Sequence, residues 1–354
     1  MKLSIVTATL TSGGSERVIS LLANAFYAKG YEVSIVCLNK HIVYYPLDPN
    51  IKVLFAEDEV KSESVIKKMG WLRNYVKTSS PDVVVPFMEA VYCVTLLALV
   101  GVRVPVISSE RIDPRRSPFF RNILRRLFLP LTTHLVVQTQ DIKNFYPGFI
   151  KKNTTVIYNP VTEKVFSLPQ VEKKNSIISV GRLYQQKNQR MLINAFSMIV
   201  NDFKDYQLVI YGEGPLREEL EKQVRDMNLE GRVLLPGVTE DVAGKLNESK
   251  LFCLSSDYEG MSNALIEAIC VGLPIISTNV SGAEELIDSG KNGEVVEIGD
   301  TNALADAMRS LLSNEEKMAE YGQNNKRLAP KFNTASIVEQ WEKTINDVIN
   351  KFHG

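Results

Sequence analysis

The feature that most constrains the fold of this 354-residue chain is an alternation: short runs rich in Val, Ile and Leu, each followed by helical spacing, in a pattern that starts twice. Near-continuous apolar runs mark strands buried on both faces, and their alternation with helices marks parallel βαβ architecture. In the first half the predicted strands are 3–9, 33–38, 52–55, 83–87, 104–108, 135–138 and 155–158. The second half restarts with 176–180, 207–211, 232–235, 251–254 and 274–277. Around 159–175 the text turns polar, with Pro160, Pro169 and three lysines, and reads as a linker. Ile337, Trp341, Ile345, Val348 and Phe352 share one helical face. The expected architecture is α/β, with two doubly wound Rossmann-like domains, 1–160 and 161–333, facing across a cleft. A C-terminal helix over 334–354 packs back on the first domain, and ligands sit at the C-terminal ends of the strands.

With 45% apolar and 23% charged residues the chain is composed like a globular protein, which excludes disorder, collagen and a coiled coil. Cys37, Cys93, Cys253 and Cys270 form no CxxC and lie in apolar surroundings, so reduced core thiols are expected rather than a disulfide framework. The N-terminus reads as a first strand and not as a signal peptide. The longest apolar run, 90–102, is 13 residues and too short to span a bilayer. A cytoplasmic location is the expectation.

Lys plus Arg and Asp plus Glu both number 41, but they are not evenly spread. Residues 1–152 hold 20 basic and 12 acidic side chains, a net of +8, and the remainder holds 21 and 29, a net of −8. Ten basic residues lie within 103–152, opposed only by Glu110, Asp113 and Asp141. Such asymmetry fits an anionic partner that meets the first half alone. Within it, 118–130 mixes Phe and Leu with arginines at helical spacing, the pattern of a short basic amphipathic helix on an anionic membrane surface. The competing reading is a core-facing helix whose arginines are merely solvated. No recognition motif for nucleic acid accompanies the charge.

Three junctions carry candidate chemistry. The first strand runs into Ser12-Gly13-Gly14-Ser15-Glu16-Arg17 and a helix, where glycines let backbone approach a ligand; it is neither GxGxxG nor a Walker loop. The second domain opens with Val180-Gly181-Arg182-Leu183 and Lys187, two cations at the mouth of a sheet, suited to a diphosphate. Glu259-Gly260-Met261-Ser262 with Glu267 forms a third strand-to-helix junction, pairing carboxylates that accept sugar hydroxyls with amides that face phosphate.

Together with Tyr211-Gly212-Glu213-Gly214-Pro215-Leu216 and Pro236-Gly237-Val238, this set resembles glycosyltransferase family 4, retaining nucleotide-sugar enzymes of the GT-B fold. The segment Ile107-Ser108-Ser109-Glu110-Arg111 is more narrowly similar to a bacterial branch that includes N-acetylgalactosaminyl transferases extending undecaprenyl-diphosphate-linked glycans. The resemblance implies an acceptor domain over 1–160 and a nucleotide-sugar domain over 161–333. It implies catalytic roles for Arg182 and Lys187 on the departing diphosphate and for Glu259 near the donor sugar. Donor contacts fall to Gly13, Gly14, Val238, Gly260, Met261, Ser262 and Glu267, with Glu267 on the ribose. Glu110, Arg111, Arg115, Arg116, Arg121, Arg125 and Arg126 would face the acceptor and the membrane. Many relatives carry His where this chain has Glu110-Arg111, and Arg111 cannot serve as a base.

The chain has no Asp-x-Asp, and His41, His134 and His353 lack ligand spacing, so no metal or other cofactor is expected and fixed cations would carry the charge. The resemblance implies front-side attack with the leaving phosphate assisting the proton. The expected partners are a UDP-sugar, carrying GalNAc or another hexose or N-acetylhexosamine, and a polyprenyl-diphosphate-linked glycan. The expected product is a bacterial surface glycan such as O-antigen, made at the cytoplasmic face of the inner membrane without nucleic acid. A transferase acting on a soluble acceptor and a UDP-sugar epimerase are the alternatives.

Overall fold

The computed structural model describes residues 1–40 and 42–354; His41 lies outside the described residues. The chain divides into two compact units, Met1–Pro160 with Thr334–Gly354, and Val161–Asn333. Both are the expected α/β type with parallel sheets.

In the first unit the strands are β1 (Lys2–Thr7), β2 (Glu32–Cys37), β3 (Lys52–Phe55), β4 (Val83–Pro86), β5 (Ile107–Ser109), β6 (His134–Val137) and β7 (Thr154–Val156). They form sheets ordered β3-β2-β1-β4 and β5-β6-β7, all parallel, and bridges Val84–Val106 and Phe87–Ser109 carry β4 onto β5. The apolar runs are buried as parallel strands between helices should be: Ile5, Ile35, Val36, Val83 and Val84 are 2% exposed or less. The helix Thr334–His353 joins this unit by burying Ile337, Trp341 and Ile345 in the same apolar cluster as β1 and β4, with the Trp341 ring stacked 6.1 Å from Phe87. Tyr31 donates to Glu342 Oε1 at 2.8 Å and fastens the exposed side of that helix.

The second unit holds β8 (Ser176–Val180), β9 (Gln207–Tyr211), β10 (Val233–Gly237), β11 (Leu251–Leu254), β12 (Ile275–Thr278) and β13 (Gly293–Val296) in one parallel sheet ordered β10-β9-β8-β11-β12-β13. Strand β13 was not among the expected strands; it is a half-exposed edge strand of four residues that opens on glycine. The polar stretch after Pro160 is fastened along this unit: Lys164 donates to Asp241 Oδ1 at 2.7 Å, and Asn247 Nδ2 to the Pro169 carbonyl at 2.8 Å.

All four cysteines are free and buried, and burial pushes the thiols of Cys37, Cys93 and Cys270 up to about 12. Among the described residues, no helix is long and apolar enough to cross a membrane.

Candidate active site

The sheet order of the second unit decides what its loops do. Strand β8 is central, β9 and β10 extend one way, and β11 extends the other, so β8 and β11 flank the switch point where open α/β sheets bind ligands. The loops after β10, β9, β8 and β11 therefore lie in a row. Each is tied to the next by backbone: Gly212 N donates to Gly237 O at 2.8 Å, and Leu183 N to Glu213 O at 2.9 Å. Across the switch point Asp257 N donates to Gln186 O at 2.8 Å, and Gln186 Nε2 to Tyr258 O at 2.9 Å.

Two glycines set this spacing. Gly212 has φ +148°, and a Cβ there would lie 1.9 Å from the Gly181 carbonyl oxygen; at Gly214 it would lie 2.4 Å from the Leu183 oxygen. The loops after β8 and β9 are thus held at a separation only glycine permits. Gly212→Ala is expected to cost about 2 kcal/mol, or about 4–8 °C in Tm for a unit of this size. A thermal melt within 1 °C of the parent would show that the loops separate without cost.

On this row the structure brings Lys187 and Glu259 together. The loop after β8 ends in a turn, Gln185–Lys187, and Asn188, at φ +45°, redirects the chain into the helix Gln189–Ser197. Asn tolerates that left-handed conformation, and its side chain accepts from Met191 N at 3.3 Å while donating to Asp257 Oδ1 at 2.8 Å. Lys187 is thereby aimed across the switch point at the Glu259 carboxylate, with which it forms an ion pair. Ser256 Oγ donates to the same oxygen, Glu259 Oε1, at 2.7 Å. Glu259 is 6% exposed, so its charge is held by these two partners in place of water.

Arg182 lies on the same loop, exposed, with its guanidinium 5.0 Å from the Tyr184 ring centroid. Among the described residues no carboxylate lies within ion-pair range of it, which leaves its fork open towards solvent. Gly260, Met261 and Ser262 are buried, and Ser262 caps the helix Asn263–Val271 by accepting from Leu265 N at 3.4 Å. Glu267 lies about one turn into that helix, 2% exposed. Val238, just past β10, is 64% exposed. Next to it Arg217, which the sequence reading did not single out, donates to Glu213, to Glu221 Oε1 at 3.0 Å, and to the Leu235 and Gly212 carbonyls at 3.1 Å each. Its hydrogen bond holds the Glu213 carboxyl below the usual range. Its signal in the sequence was Glu213, four residues before it, and Glu221, four after.

In the first unit Gly13 caps the helix Gly14–Ala28 in an extended conformation, and a Cβ on Gly13 would overlap the Glu16 carboxylate. Glu16, reached by Thr9 Oγ1 at 3.3 Å, therefore lies over this helix start. The first-unit loop carrying Gly13 follows β1, again beside the strand where the sheet order turns. His134 is half-buried with its Nε2 2.8 Å from Thr155 Oγ1, and burial brings it down to about 4, so it is neutral near pH 7.

Comparison with known proteins decides the family. Residues 161–328 match the family described as Glycosyl transferases group 1, and residues 12–164 match Glycosyltransferase Family 4. The chain is 32% identical, over 99% of its own length and 99% of the relative's, to the Campylobacter jejuni GalNAc-α-(1→4)-GalNAc-α-(1→3)-diNAcBac-PP-undecaprenol α-1,4-N-acetyl-D-galactosaminyltransferase. The chain is a family 4 glycosyltransferase. It is also 27% identical, over 95% of its length and 97% of the relative's, to the C. jejuni N-acetylgalactosamine-N,N′-diacetylbacillosaminyl-diphospho-undecaprenol 4-α-N-acetylgalactosaminyltransferase. The fold is shared with Anabaena HepE, solved in complex with UDP, at a TM-score of 0.82 and 18% identity over 98% of this chain and 100% of that one.

In this glycosyltransferase the charged residues expected at an outer surface separate into a buried and an exposed group. Glu110, Arg111 and Arg125 are buried, at 0%, 7% and 2% exposure, so the expectation that they face a membrane is corrected, and Glu110 and Arg125 are paired with each other rather than turned to an acceptor. Glu110 Oε2 accepts from Arg125 Nε at 2.8 Å and from the hydroxyls of Tyr92 and Tyr146 at 3.0 Å each. Arg111 donates to Asn159 Oδ1 at 2.7 Å and sits 4.7 Å over the Phe87 ring, and burial lowers it to about 9. Arg115 is held by Asp113 and Asp141, and Arg121 Nη1 lies 3.7 Å from Glu89 Oε2. Arg116 and Arg126 are exposed.

The helix Phe119–Phe128 fits a core-facing helix with solvated arginines only in part: Leu124 and Phe128 pack on the core and Arg121 and Arg126 are exposed, but the rest is reversed. Arg125 points inward, while Phe119 is 81% exposed, Phe120 60%, Ile123 42% and Leu127 62%. Glu89, beneath this helix and 4% exposed, also escaped the sequence reading. Burial raises its carboxyl above the usual range, against the lowering effect of Arg125 and Arg121. It follows Met88, whose φ of +73° is a strained conformation for a residue with a side chain.

Proposed function

We propose that this glycosyltransferase moves an N-acetylhexosamine or hexose from a UDP-sugar, with retention of configuration, onto a polyprenyl-diphosphate-linked glycan at an anionic membrane surface. The observation that carries the acceptor side is the outward apolar face of Phe119–Phe128, bordered by exposed Arg116 and Arg126. Apolar side chains flanked by arginines suit an anionic headgroup layer. The printed activities of the two C. jejuni relatives, both on undecaprenol-linked glycans, support the same reading.

On the donor side, Arg182 grips the diphosphate with its open fork, and Lys187 exchanges its partner Glu259 for phosphate oxygen as the donor enters. The freed Glu259 carboxylate accepts a donor-sugar hydroxyl, Glu267 holds the ribose, and the backbone at Val238 reads the base. Gly260, Met261 and Ser262 turn amides to the phosphate, and Gly13 and Gly14 are assigned to the donor by the family resemblance. Charge developing on the departing diphosphate then meets fixed cations, the term that dominates such transfers. The acceptor hydroxyl attacks from the side the diphosphate leaves, and a phosphate oxygen takes its proton. No metal is assigned a part.

The test is UDP or GDP release from UDP-GalNAc, UDP-GlcNAc, UDP-Glc, UDP-Gal and GDP-Man, each with and without a polyprenyl-diphosphate-sugar acceptor, before and after EDTA. Acceptor-dependent release from one UDP-sugar, unchanged by EDTA, is expected. Conversion of the donor alone would mean an epimerase, and preference for a free sugar a soluble-acceptor enzyme. Activity lost to EDTA and restored by Mg²⁺ or Mn²⁺ would overturn the metal-free mechanism.

A further inference from the structure

Resting on the reading that this enzyme works against a membrane surface, we propose that the buried Arg125–Glu110 pair is a positioning device. It fixes the rotation of the helix Phe119–Phe128 so that Arg125 faces inward and the stripe of Phe119, Ile123 and Leu127 faces the lipid that carries the acceptor.

Burial of apolar area alone would turn this helix the other way. Phe119, Ile123 and Leu127 stand at i, i+4 and i+8, one stripe of the helix, and that stripe is the exposed one. What opposes it is the set of contacts around Arg125, beside the packing of Leu124 and Phe128 on the inner cluster. Arg125 Nε lies 2.8 Å from Glu110 Oε2, its Nη1 is 2.9 Å from Asn122 Oδ1 on its own helix, and its Nη2 is 4.0 Å from Glu89 Oε2. Glu110 is in turn fixed by Tyr92, on the helix Glu89–Ala98, and by Tyr146, just past the helix Gln140–Phe145. The loop after β5 and two body helices thus converge on one carboxylate oxygen, and the exposed helix attaches to it through Arg125. Rotating the helix by about 100° so that Leu124 took the place of Arg125 would leave Glu110 buried without its cation.

A buried ion pair contributes little net stability compared with apolar side chains of the same volume, but it accepts one geometry only. It is therefore suited to setting an orientation. The half-buried Leu124 and Phe128, packed on the inner cluster, supply the adhesion the pair does not.

The experiment uses the full chain carrying F119W as a reporter on the outward face, read against the native tryptophans, with vesicles of phosphatidylcholine and phosphatidylglycerol. In the parent, vesicles are expected to shift the indole emission to the blue. In R125M/E110Q, whose amide oxygen still accepts from the two tyrosines, Tm should stay close to the parent. Its kcat on a short water-soluble acceptor should stay within about twofold. The vesicle-induced shift should disappear, and KM for the polyprenyl-linked acceptor should rise about tenfold or more. R125K, keeping the cation without the fork, should recover part of both. A folded R125M/E110Q that keeps the shift and the parent KM overturns the proposal; if it does not fold, R125Q carries the same two readouts. F120S/L127S tests the membrane reading separately. Unchanged vesicle binding there removes that reading, whereas its loss there but not in R125M/E110Q removes only the positioning role.

Discussion

Arg182→Ala is expected to lower kcat by about 10²- to 10³-fold, the usual cost of deleting one fixed donor from a site where charge develops. Its side chain is exposed and rests on Tyr184, so Tm should move by no more than about 2 °C. Arg182→Lys keeps a charge but loses the fork that matches two phosphate oxygens, and should fall between the two. The check is acceptor-saturated nucleotide release beside a thermal melt. A purified Arg182→Ala enzyme that turns over near the parent rate would place the diphosphate elsewhere.

Lys187→Ala should be more severe, about 10³-fold or more in kcat/KM, because it removes a cation and also uncovers an anion. Glu259 is paired to Lys187, and without that lysine the buried carboxylate keeps the Ser256 hydroxyl and would face the incoming diphosphate. The two contributions separate in a double-mutant cycle. Removing Glu259 as well should restore part of the UDP affinity lost in Lys187→Ala without restoring kcat. If titration of UDP finds the double variant no tighter than Lys187→Ala alone, the repulsion argument is wrong and Glu259 does not face the phosphates.

What could be read in advance follows physical lines. Parallel strands buried on both faces write themselves as runs such as 176–180 and 251–254, and these match β8 and β11 to the residue. Strand β13, half-exposed and glycine-led, carries no such run. The loops that bear Arg182, Lys187 and Glu259 could be located because each follows a legible strand. That Lys187 and Glu259 touch could not, since 72 residues separate them and strand order decides which loops are neighbours. For 119–128 the helical period shows which side chains share a face, but not which face turns inward. That was set by Glu110, Tyr92 and Tyr146, 15 to 36 residues apart from their partners in the chain.

The division of the chain has a consequence for its synthesis and rearrangement. The second unit is an insertion: it begins at Val161 and ends at Asn333, residues joined by an isolated parallel bridge, with Val161 N donating to Phe332 O at 3.0 Å. Its two ends leave the unit side by side, so it can be excised or exchanged as one cassette without stretching either junction. The first unit, although translated first, lacks Ile337, Trp341 and Ile345 until the last helix emerges from the ribosome. On that account the unit made first completes its core last, and ribosome-bound chains ending before 334 present an open apolar groove along the helix Gly14–Ala28 and Phe87.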